Sequence, residues 1–331
     1  MSALPVSTAS AIRKPVVLIT GADLAPQALA LLDGYEVAYA GKTPSFDDIA
    51  ALCRELDPVA IIVRYSGVNA AAMEAAPSLK VISKHGSGTD TIDKTAAAAR
   101  GIAVRAAVGA NAAAVAEQAL ALLLACAKSV PQLNDRMHAG HWDKATHKSL
   151  ELGGRTIGLV GLGAIGQRFA KMCVGMDMKV IGFDPFAKNV PDYIRVVDME
   201  TIFRESDAIS LHCPLTEENR GLIDAASLAK CKKGLIVVNT ARGGLIDEPA
   251  LLAAVQSGQV RAAGLDSFAV EPLAADNVFK RQPGFVLSPH IGGVTSDAYV
   301  NMGTAAARNV RSVIEGVEPE LARHRATALE N

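Results

Sequence analysis

Residues 156–166 read Thr-Ile-Gly-Leu-Val-Gly-Leu-Gly-Ala-Ile-Gly, and residues 180–185 read Val-Ile-Gly-Phe-Asp-Pro. A short apolar run, three glycines spaced GxGxxG and a helix-like continuation over Ile165–Met176 spell strand, tight turn and helix. Gly161 permits the turn, Gly163 lets a pyrophosphate approach the backbone, and Gly166 allows the helix to pack closely on the strand. The N-terminus of this helix presents unpaired N–H groups and a partial positive charge to phosphate. Asp184 ends the next apolar run, about 20 residues past Gly163, where a carboxylate accepts hydrogen bonds from both ribose hydroxyls and repels a 2′-phosphate. No Lys or Arg immediately follows it. The spacing therefore predicts a dinucleotide-binding unit selective for NAD over NADP.

Outward from this motif the chain keeps one rhythm. Apolar runs at Pro15–Gly21, Tyr35–Gly41, Val59–Ser66, Leu79–His85 and Ile102–Val108 alternate with helix-like stretches at Ala25–Gly34, Asp47–Leu56, Ala70–Ala76 and Lys94–Arg100. A second series of runs follows at Thr156–Gly161, Lys179–Asp184, Ala208–Pro214, Leu235–Thr240, Ala262–Phe268 and Phe285–His290. Short continuous apolar strands between helices predict parallel sheets covered on both faces, so the expected fold class is α/β with two doubly wound parallel-sheet domains. Between the series lie helix-like stretches at Ala112–Lys128 and Pro131–Ala139, then a polar segment around Gly140–Ser149 that carries the single tryptophan, Trp142.

Composition narrows the function classes. The 331 residues carry 33 Lys+Arg against 34 Asp+Glu, and half are hydrophobic. This balance lacks the clustered positive excess of nucleic-acid or membrane-surface proteins, and its apolar content argues against disorder. Neither nucleic acid nor membrane is expected as a partner. Five cysteines at irregular spacing without CxxC predict neither a disulfide framework nor a zinc site, which suits a reduced cytoplasmic compartment; no metal is expected. The first 14 residues are small and polar without a signal-peptide core and are expected to be a frayed terminus. The longest apolar run, Ala119–Ala127, is far short of the ~20 residues that span a bilayer.

NAD implies hydride transfer, for which the protein supplies a substrate anchor and an acid/base. Three polar side chains stand at the ends of late strands, where open α/β sheets bind ligands. Arg242 lies in Asn-Thr-Ala-Arg-Gly-Gly (239–244), Glu271 in Asp-Ser-Phe-Ala-Val-Glu-Pro (266–272) and His290 in Ser-Pro-His-Ile-Gly-Gly (288–293). An imidazole can take the O–H proton as hydride leaves the carbon, and a carboxylate beside it fixes its tautomer. An arginine fork binds a substrate carboxylate through two hydrogen bonds.

These motifs, together with His-Cys-Pro-Leu-Thr-Glu-Glu-Asn-Arg-Gly-Leu-Ile (212–223), resemble the D-isomer-specific 2-hydroxyacid dehydrogenase family from about residue 58 to 316. The resemblance implies an enzyme with a catalytic trio at His290, Glu271 and Arg242. It also implies cofactor contacts from Ala164, Ile165, Asp184, His212, Pro214, Thr240, Ala241, Asp266 and Gly292, with Asp266 holding the nicotinamide carboxamide. It further implies that a Rossmann NAD-binding domain, residues 111–296, is inserted into a flavodoxin-like substrate domain made of residues 1–110 and 297–331. A late helix from Ser296 to about Glu315 would return the chain to the first domain.

In the family, a loop after the fourth strand of the small domain also meets the substrate carboxylate. Here that loop is His-Gly-Ser-Gly-Thr-Asp (85–90), with Ser87 and Gly88 as substrate contacts; Thr91 stands where Asn is usual. Arg64 and Lys84 are placed to meet a second anionic group. That pair is similar to D-3-phosphoglycerate dehydrogenases, although no C-terminal regulatory domain is expected before the chain stops at Asn331. Ser267 also stands where the family usually has an apolar residue. Hydroxypyruvate and glyoxylate reductases share the trio and are the alternative. A reading of another class is an NAD-sensing protein like the C-terminal-binding-protein corepressors. The two-faced apolar helix 112–128 and Trp142 predict a homodimer.

Overall fold

A computed structural model describes residues 14–316, so the expectation for the first 14 residues lies, apart from Lys14, outside the described part of the chain. The chain divides into two compact units: one reaches Ala110 and resumes at Tyr299, and the other is Asn111–Ala298.

The first unit contains β1 (Val16–Ile19), α1 (Pro26–Ala30), β2 (Glu36–Tyr39), α2 (Phe46–Leu56), β3 (Ala60–Val63), α3 (Ala70–Glu74), β4 (Val81–Lys84), α4 (Lys94–Ala99) and β5 (Ala103–Ala106). Its strands are all parallel in the order β2-β1-β3-β4-β5. Val-Val-Leu-Ile and Ala-Ile-Ile-Val make β1 and β3 wholly buried, as strands covered on both faces must be. Side-chain caps start the helices: Ser45 and Asp48 form a capping box at α2, Asn69 caps α3 and Asp93 caps α4. One sheet face packs Ile49, Cys53, Met73 and Ile92. The other is covered by the last described helix, whose Ala306, Ala307 and Val310 are buried with Val17, Ile19, Ile62 and Val81. Asn309 of that helix donates to the Ala106 carbonyl over 3.1 Å. Strand order reverses between β1 and β3, so the loops after these two strands diverge at a topological switch point.

The second unit opens with α5 (Ala112–Lys128) and α6 (Val130–His138). It continues through β6 (Thr156–Val160), α7 (Ala164–Val174), β7 (Lys179–Phe183), β8 (Ile194–Val196), α8 (Met199–Glu205), β9 (Ala208–Leu211) and α9 (Ala225–Lys230). Then come β10 (Leu235–Asn239), α10 (Glu248–Ser257), β11 (Val260–Leu265), β12 (Phe285–Leu287) and α11 (Ser296–Glu315), the late helix that leads out of this unit. The seven parallel strands are ordered β12-β11-β10-β9-β6-β7-β8, the doubly wound dinucleotide-binding arrangement with its switch point between β6 and β9.

Two elements differ from the pattern read along the sequence. β8 has three residues of which only Ile194 is buried, too short an edge strand to give a periodic signal. The apolar helix α5 is buried inside its own unit, packing on β10, β11 and α7. Its second apolar face is thus occupied by intrachain contacts, whereas Trp142 beyond it is 76% exposed. Among the described residues, no single helix is long and apolar enough to cross a membrane.

Candidate active site

The glycine turn after β6 has the geometry that its sequence predicts. Gly161 sits at φ +100°, in the left-handed region, and a Cβ there would lie 2.7 Å from the Cys213 amide nitrogen after β9. A Cβ at Gly166 would lie 2.1 Å from the Gly161 carbonyl oxygen, so only glycine allows this approach of helix to turn. At Gly163, the residue before α7, a Cβ would meet nothing within 4 Å, and no side chain caps the helix. Open space in front of uncapped helix N–H groups fits a pyrophosphate. Asp184, at the end of β7, accepts hydrogen bonds from the Leu162 and Phe186 amides, both at 2.9 Å, which fixes its carboxylate beside the turn. These residues fit NAD.

His212 follows β9 beside this turn. Its Nε2 lies 3.0 Å from Ser210 Oγ, its ring packs on Phe169, and its buried Nδ1 has no partner. Burial pushes its pKa down to about 3, so it is neutral at physiological pH. Pro214 is exposed two residues on, Ala241 is half-buried, and the buried Thr240 hydroxyl also lacks a partner. An orphaned hydroxyl and an orphaned ring nitrogen are groups that a bound ligand can satisfy.

The three chemistry-bearing side chains follow neighbouring strands: Arg242 after β10, Glu271 after β11 and His290 after β12. Glu271 Oε2 lies 2.8 Å from His290 Nδ1, while Glu271 Oε1 accepts from the Phe268 amide at 2.9 Å. The carboxylate is thus held by the backbone and in turn orients the imidazole. Its partner His290 adopts φ +54°, a left-handed conformation that costs a non-glycine residue about 1–3 kcal/mol and persists only where surroundings impose it.

Asp266 supplies much of that imposition. It is 1% exposed, and its carboxylate accepts from Ser288 Oγ at 2.6 Å, the Ile291 amide at 3.0 Å and the Gly292 amide at 2.8 Å. A buried carboxylate needs such donors, and here all of them belong to the loop that carries His290. Gln118 of α5 donates to Ser288 Oγ over 3.0 Å and completes the support. The cofactor contact expected of Asp266 is therefore joined by a positioning role. A Cβ at Gly292 would approach Asp266 Oδ2 to 2.9 Å, which explains a glycine there.

Arg242 is placed by two devices. Asn239 donates to the Arg242 carbonyl over 2.9 Å and accepts from the Ala241 amide at the same distance. Gly243 then passes so close to the Phe268–Ala269 peptide that a Cβ would fall 1.9 Å from the Phe268 carbonyl carbon. Glu248 accepts from the Ala269 amide at 2.8 Å and holds the same segment from the other side. Gln118, Asn239, Gly243, Glu248 and Ser288 are functional supports that the sequence reading did not single out. Asn239 and Gly243 lay within a quoted motif, but Gln118 acts 170 residues from its partner and left no local signal.

The other expected substrate residues, besides Arg242, lie in the first unit. Arg64 follows β3 with its side chain only 7% exposed and ion-paired to Asp23. Lys84 ends β4 and donates to the Arg64 carbonyl over 2.8 Å. Ser87 is exposed and Gly88 half-buried in the following loop, where Gly86 takes φ +147°. In the second unit, a cavity of about 530 Å³ is lined by residues of the α5–α6 region, including Arg136, Asp143 and His147, and by none of the expected site residues.

Comparison with known proteins adds family and function. A profile described as "D-isomer specific 2-hydroxyacid dehydrogenase, NAD binding domain" matches residues 120–292. A hydroxypyruvate reductase of Thermotoga maritima is 43% identical over 266 residues, covering 78% of this chain and 84% of that protein. A D-3-phosphoglycerate dehydrogenase of Mycobacterium tuberculosis is 40% identical over 307 residues, covering 91% of this chain but 57% of that protein. The TT0316 protein of Thermus thermophilus superposes with a TM-score of 0.83 at 33% identity, over 92% of this chain and 98% of that one.

Proposed function

The chain belongs to the D-isomer-specific 2-hydroxyacid dehydrogenase family, and on that premise we propose that it interconverts a short D-2-hydroxy acid and its 2-keto acid with NAD(H). The observation that carries this reading is the 2.8 Å contact between Glu271 Oε2 and His290 Nδ1. It turns the other imidazole nitrogen, Nε2, into the proton-exchanging atom. NADH, when bound, supplies the hydride for C2 of the keto acid. His290 delivers a proton to the C2 oxygen during reduction and removes it during oxidation. Glu271 keeps the ring in register and stabilises the imidazolium. Arg242 grips the substrate carboxylate and draws charge from the carbonyl beside it. Gly161, Gly163, Ala164, Ile165 and Gly166 cradle the pyrophosphate, and Asp184 takes the adenosine ribose. His212, Pro214, Thr240, Ala241, Asp266 and Gly292 line the rest of the dinucleotide.

Arg64, Lys84, Ser87 and Gly88 are proposed to meet the substrate from the first unit. Two substrate classes are candidates. D-3-phosphoglycerate, whose oxidation would lead toward serine, is supported by the 40%-identical relative and by the cations Arg64 and Lys84. Hydroxypyruvate or glyoxylate is supported by the 43%-identical relative and by a specific observation, the pairing of Arg64 with Asp23. The protein is proposed to work in the cytoplasm as a homodimer, using the exposed Val130 and Met137 of α6 and Trp142 beyond it; light scattering at micromolar concentration should give twice the chain mass, and a monomer mass would refute it.

The test of function is NADH oxidation with hydroxypyruvate, glyoxylate and phosphohydroxypyruvate side by side. Turnover of at least one is expected. NADH binding without acceleration by any 2-keto acid would instead support the NAD-sensing corepressor-like alternative.

A further inference from the structure

We propose that Asp23 sets the charge preference of the first unit by neutralising Arg64, so that the distal end of the substrate is accepted as an uncharged hydroxyl and disfavoured as a phosphate. This rests on the 2-hydroxyacid reading above and names the substrate class within it.

The two residues flank the switch point of the five-stranded sheet: Asp23 lies in the loop after β1 and Arg64 follows β3. In doubly wound sheets that is where ligands bind. Arg64 Nη1 contacts the Asp23 carboxylate and donates to the Asp23 carbonyl over 2.6 Å. Its Nη2 donates to Tyr65 Oη over 3.0 Å. The guanidinium also lies 4.8 Å from the Tyr65 ring centre and 5.0 Å from that of Tyr299. Tyr299 in turn donates its hydroxyl to Asp23 Oδ1 over 2.8 Å. The guanidinium is thus packed against two rings and locked to a carboxylate rather than held out as an open fork.

Charge at this end of the unit follows from those contacts. The Tyr299 hydrogen bond, with help from Arg64, holds the Asp23 carboxyl below its usual range, so it is ionised at neutral pH. Arg64 and Asp23 together contribute no net charge. The Asp23 side chain is 67% exposed whereas that of Arg64 is 7% exposed, so an approaching ligand meets the anionic partner first. His85 is buried, with its ring 5.7 Å from that of Tyr299, and its Nε2 has no hydrogen-bond partner. Burial, reinforced by Arg64 and Lys84, pushes its pKa down to about 4, so it adds no positive charge at neutral pH. Lys84 is the remaining cation of the group and is tied to the Arg64 carbonyl. Two apparent cations beside Lys84 are therefore cancelled or uncharged. A dianion entering here would face an exposed carboxylate, and like charges in proximity disfavour binding.

The experiment measures kcat/KM for hydroxypyruvate and phosphohydroxypyruvate in the wild type, Asp23→Asn, Arg64→Gln and the double variant. Calorimetric binding of D-glycerate and 3-phosphoglycerate to the NAD-loaded protein runs alongside. Asn keeps acceptors for Tyr299 and Arg64 while removing the charge. The wild type should favour the unphosphorylated ligand. Asp23→Asn should move the ratio toward the phosphorylated one by about tenfold, a figure scaled to a partly screened surface charge. The double variant should lose that gain. Arg64→Gln, which leaves Asp23 uncompensated, should move the ratio the opposite way; this arm stands even if Asp23→Asn does not fold. A wild-type preference for the phosphorylated ligand, or a ratio within about twofold across the variants, overturns the proposal. Absence of turnover with any keto acid overturns the functional reading instead, and calorimetry then still decides on Asp23.

Discussion

The two sheets reverse strand order in the same way, yet their switch points are furnished in opposite styles. Between β6 and β9 the opening is made of glycine and uncapped amides, with Asp184 held to one side by two backbone donors. Between β1 and β3 the corresponding place is filled by Arg64, Asp23, Tyr65 and Tyr299. Backbone amides offer a fixed field that suits any pyrophosphate, which is invariant in a dinucleotide. Side chains offer a charge that a single substitution can change, which suits the part of a substrate that varies. On the proposed reading, one half of the molecule serves a constant ligand and the other a selectable one.

The largest effect expected on this division comes from the chemistry. His290→Ala should lower kcat by about 10²–10⁴-fold while NADH still binds, as judged by fluorescence titration. Substantial residual turnover would remove His290 as the proton-exchanging group. Next, Gly166→Ala should abolish or severely weaken NADH binding and cost about 1–3 kcal/mol of stability, because its Cβ would fall 2.1 Å from the Gly161 carbonyl oxygen. Normal NADH affinity in that variant would mean that the glycine turn can yield to a methyl group. Asp184→Ala should narrow the preference for NAD over NADP by roughly tenfold or more in kcat/KM, on the scale of one charge-assisted hydrogen bond. An unchanged ratio would detach Asp184 from cofactor choice.

A pH scan compares the two halves through their buried imidazoles. His85 and His212 have folded-state values pushed down to about 4 and about 3, below the ordinary 6.5. The unfolded chain therefore binds protons more readily below pH 6.5. Stability from both groups is intact above that pH and is lost as pH falls toward 4 and 3, at up to about 1.4 kcal/mol per unit for each imidazole. The melting temperature should decline through this window, and His85→Gln should make the decline shallower. An identical slope would show that other groups dominate acid unfolding. The smallest effect is Ser45→Ala, which breaks the α2 capping box and should cost about 1 kcal/mol without shifting NADH affinity. A shift in NADH affinity would show coupling between units.

The difference in furnishing also explains what the sequence could reveal. Gly161-Leu162-Gly163-Ala164-Ile165-Gly166 and Asp184 form a local pattern whose spacing follows from backbone geometry, and the family motifs around Arg242, Glu271 and His290 sit at predictable strand ends. Arg64 was visible as a strand-end cation, but its partner Asp23 stands 41 residues earlier and follows a different strand. Nothing in either neighbourhood marks them as a pair. Asp266 shows the same limit, since its donors Ser288, Ile291 and Gly292 lie more than 20 residues on and Gln118 reaches Ser288 from α5. The apolar excess of α5 was legible, but what covered it was a matter of tertiary packing, in which sheet and α7 take both faces. β8 stayed hidden because three residues do not establish a period.

The helix α11 carries a consequence for how the chain is made. Ala306, Ala307 and Val310 complete the apolar layer over Val17, Ile19 and Ile62, although nearly the whole chain separates them. During synthesis the strands of the first unit emerge early but lack this cover until α11 has been made. The nucleotide-binding unit, continuous from Asn111 to Ala298, has all its strands available before that moment. The interrupted unit therefore begins first and closes last, and its exposed sheet face during that interval is where a nascent chain of this protein would most need a chaperone.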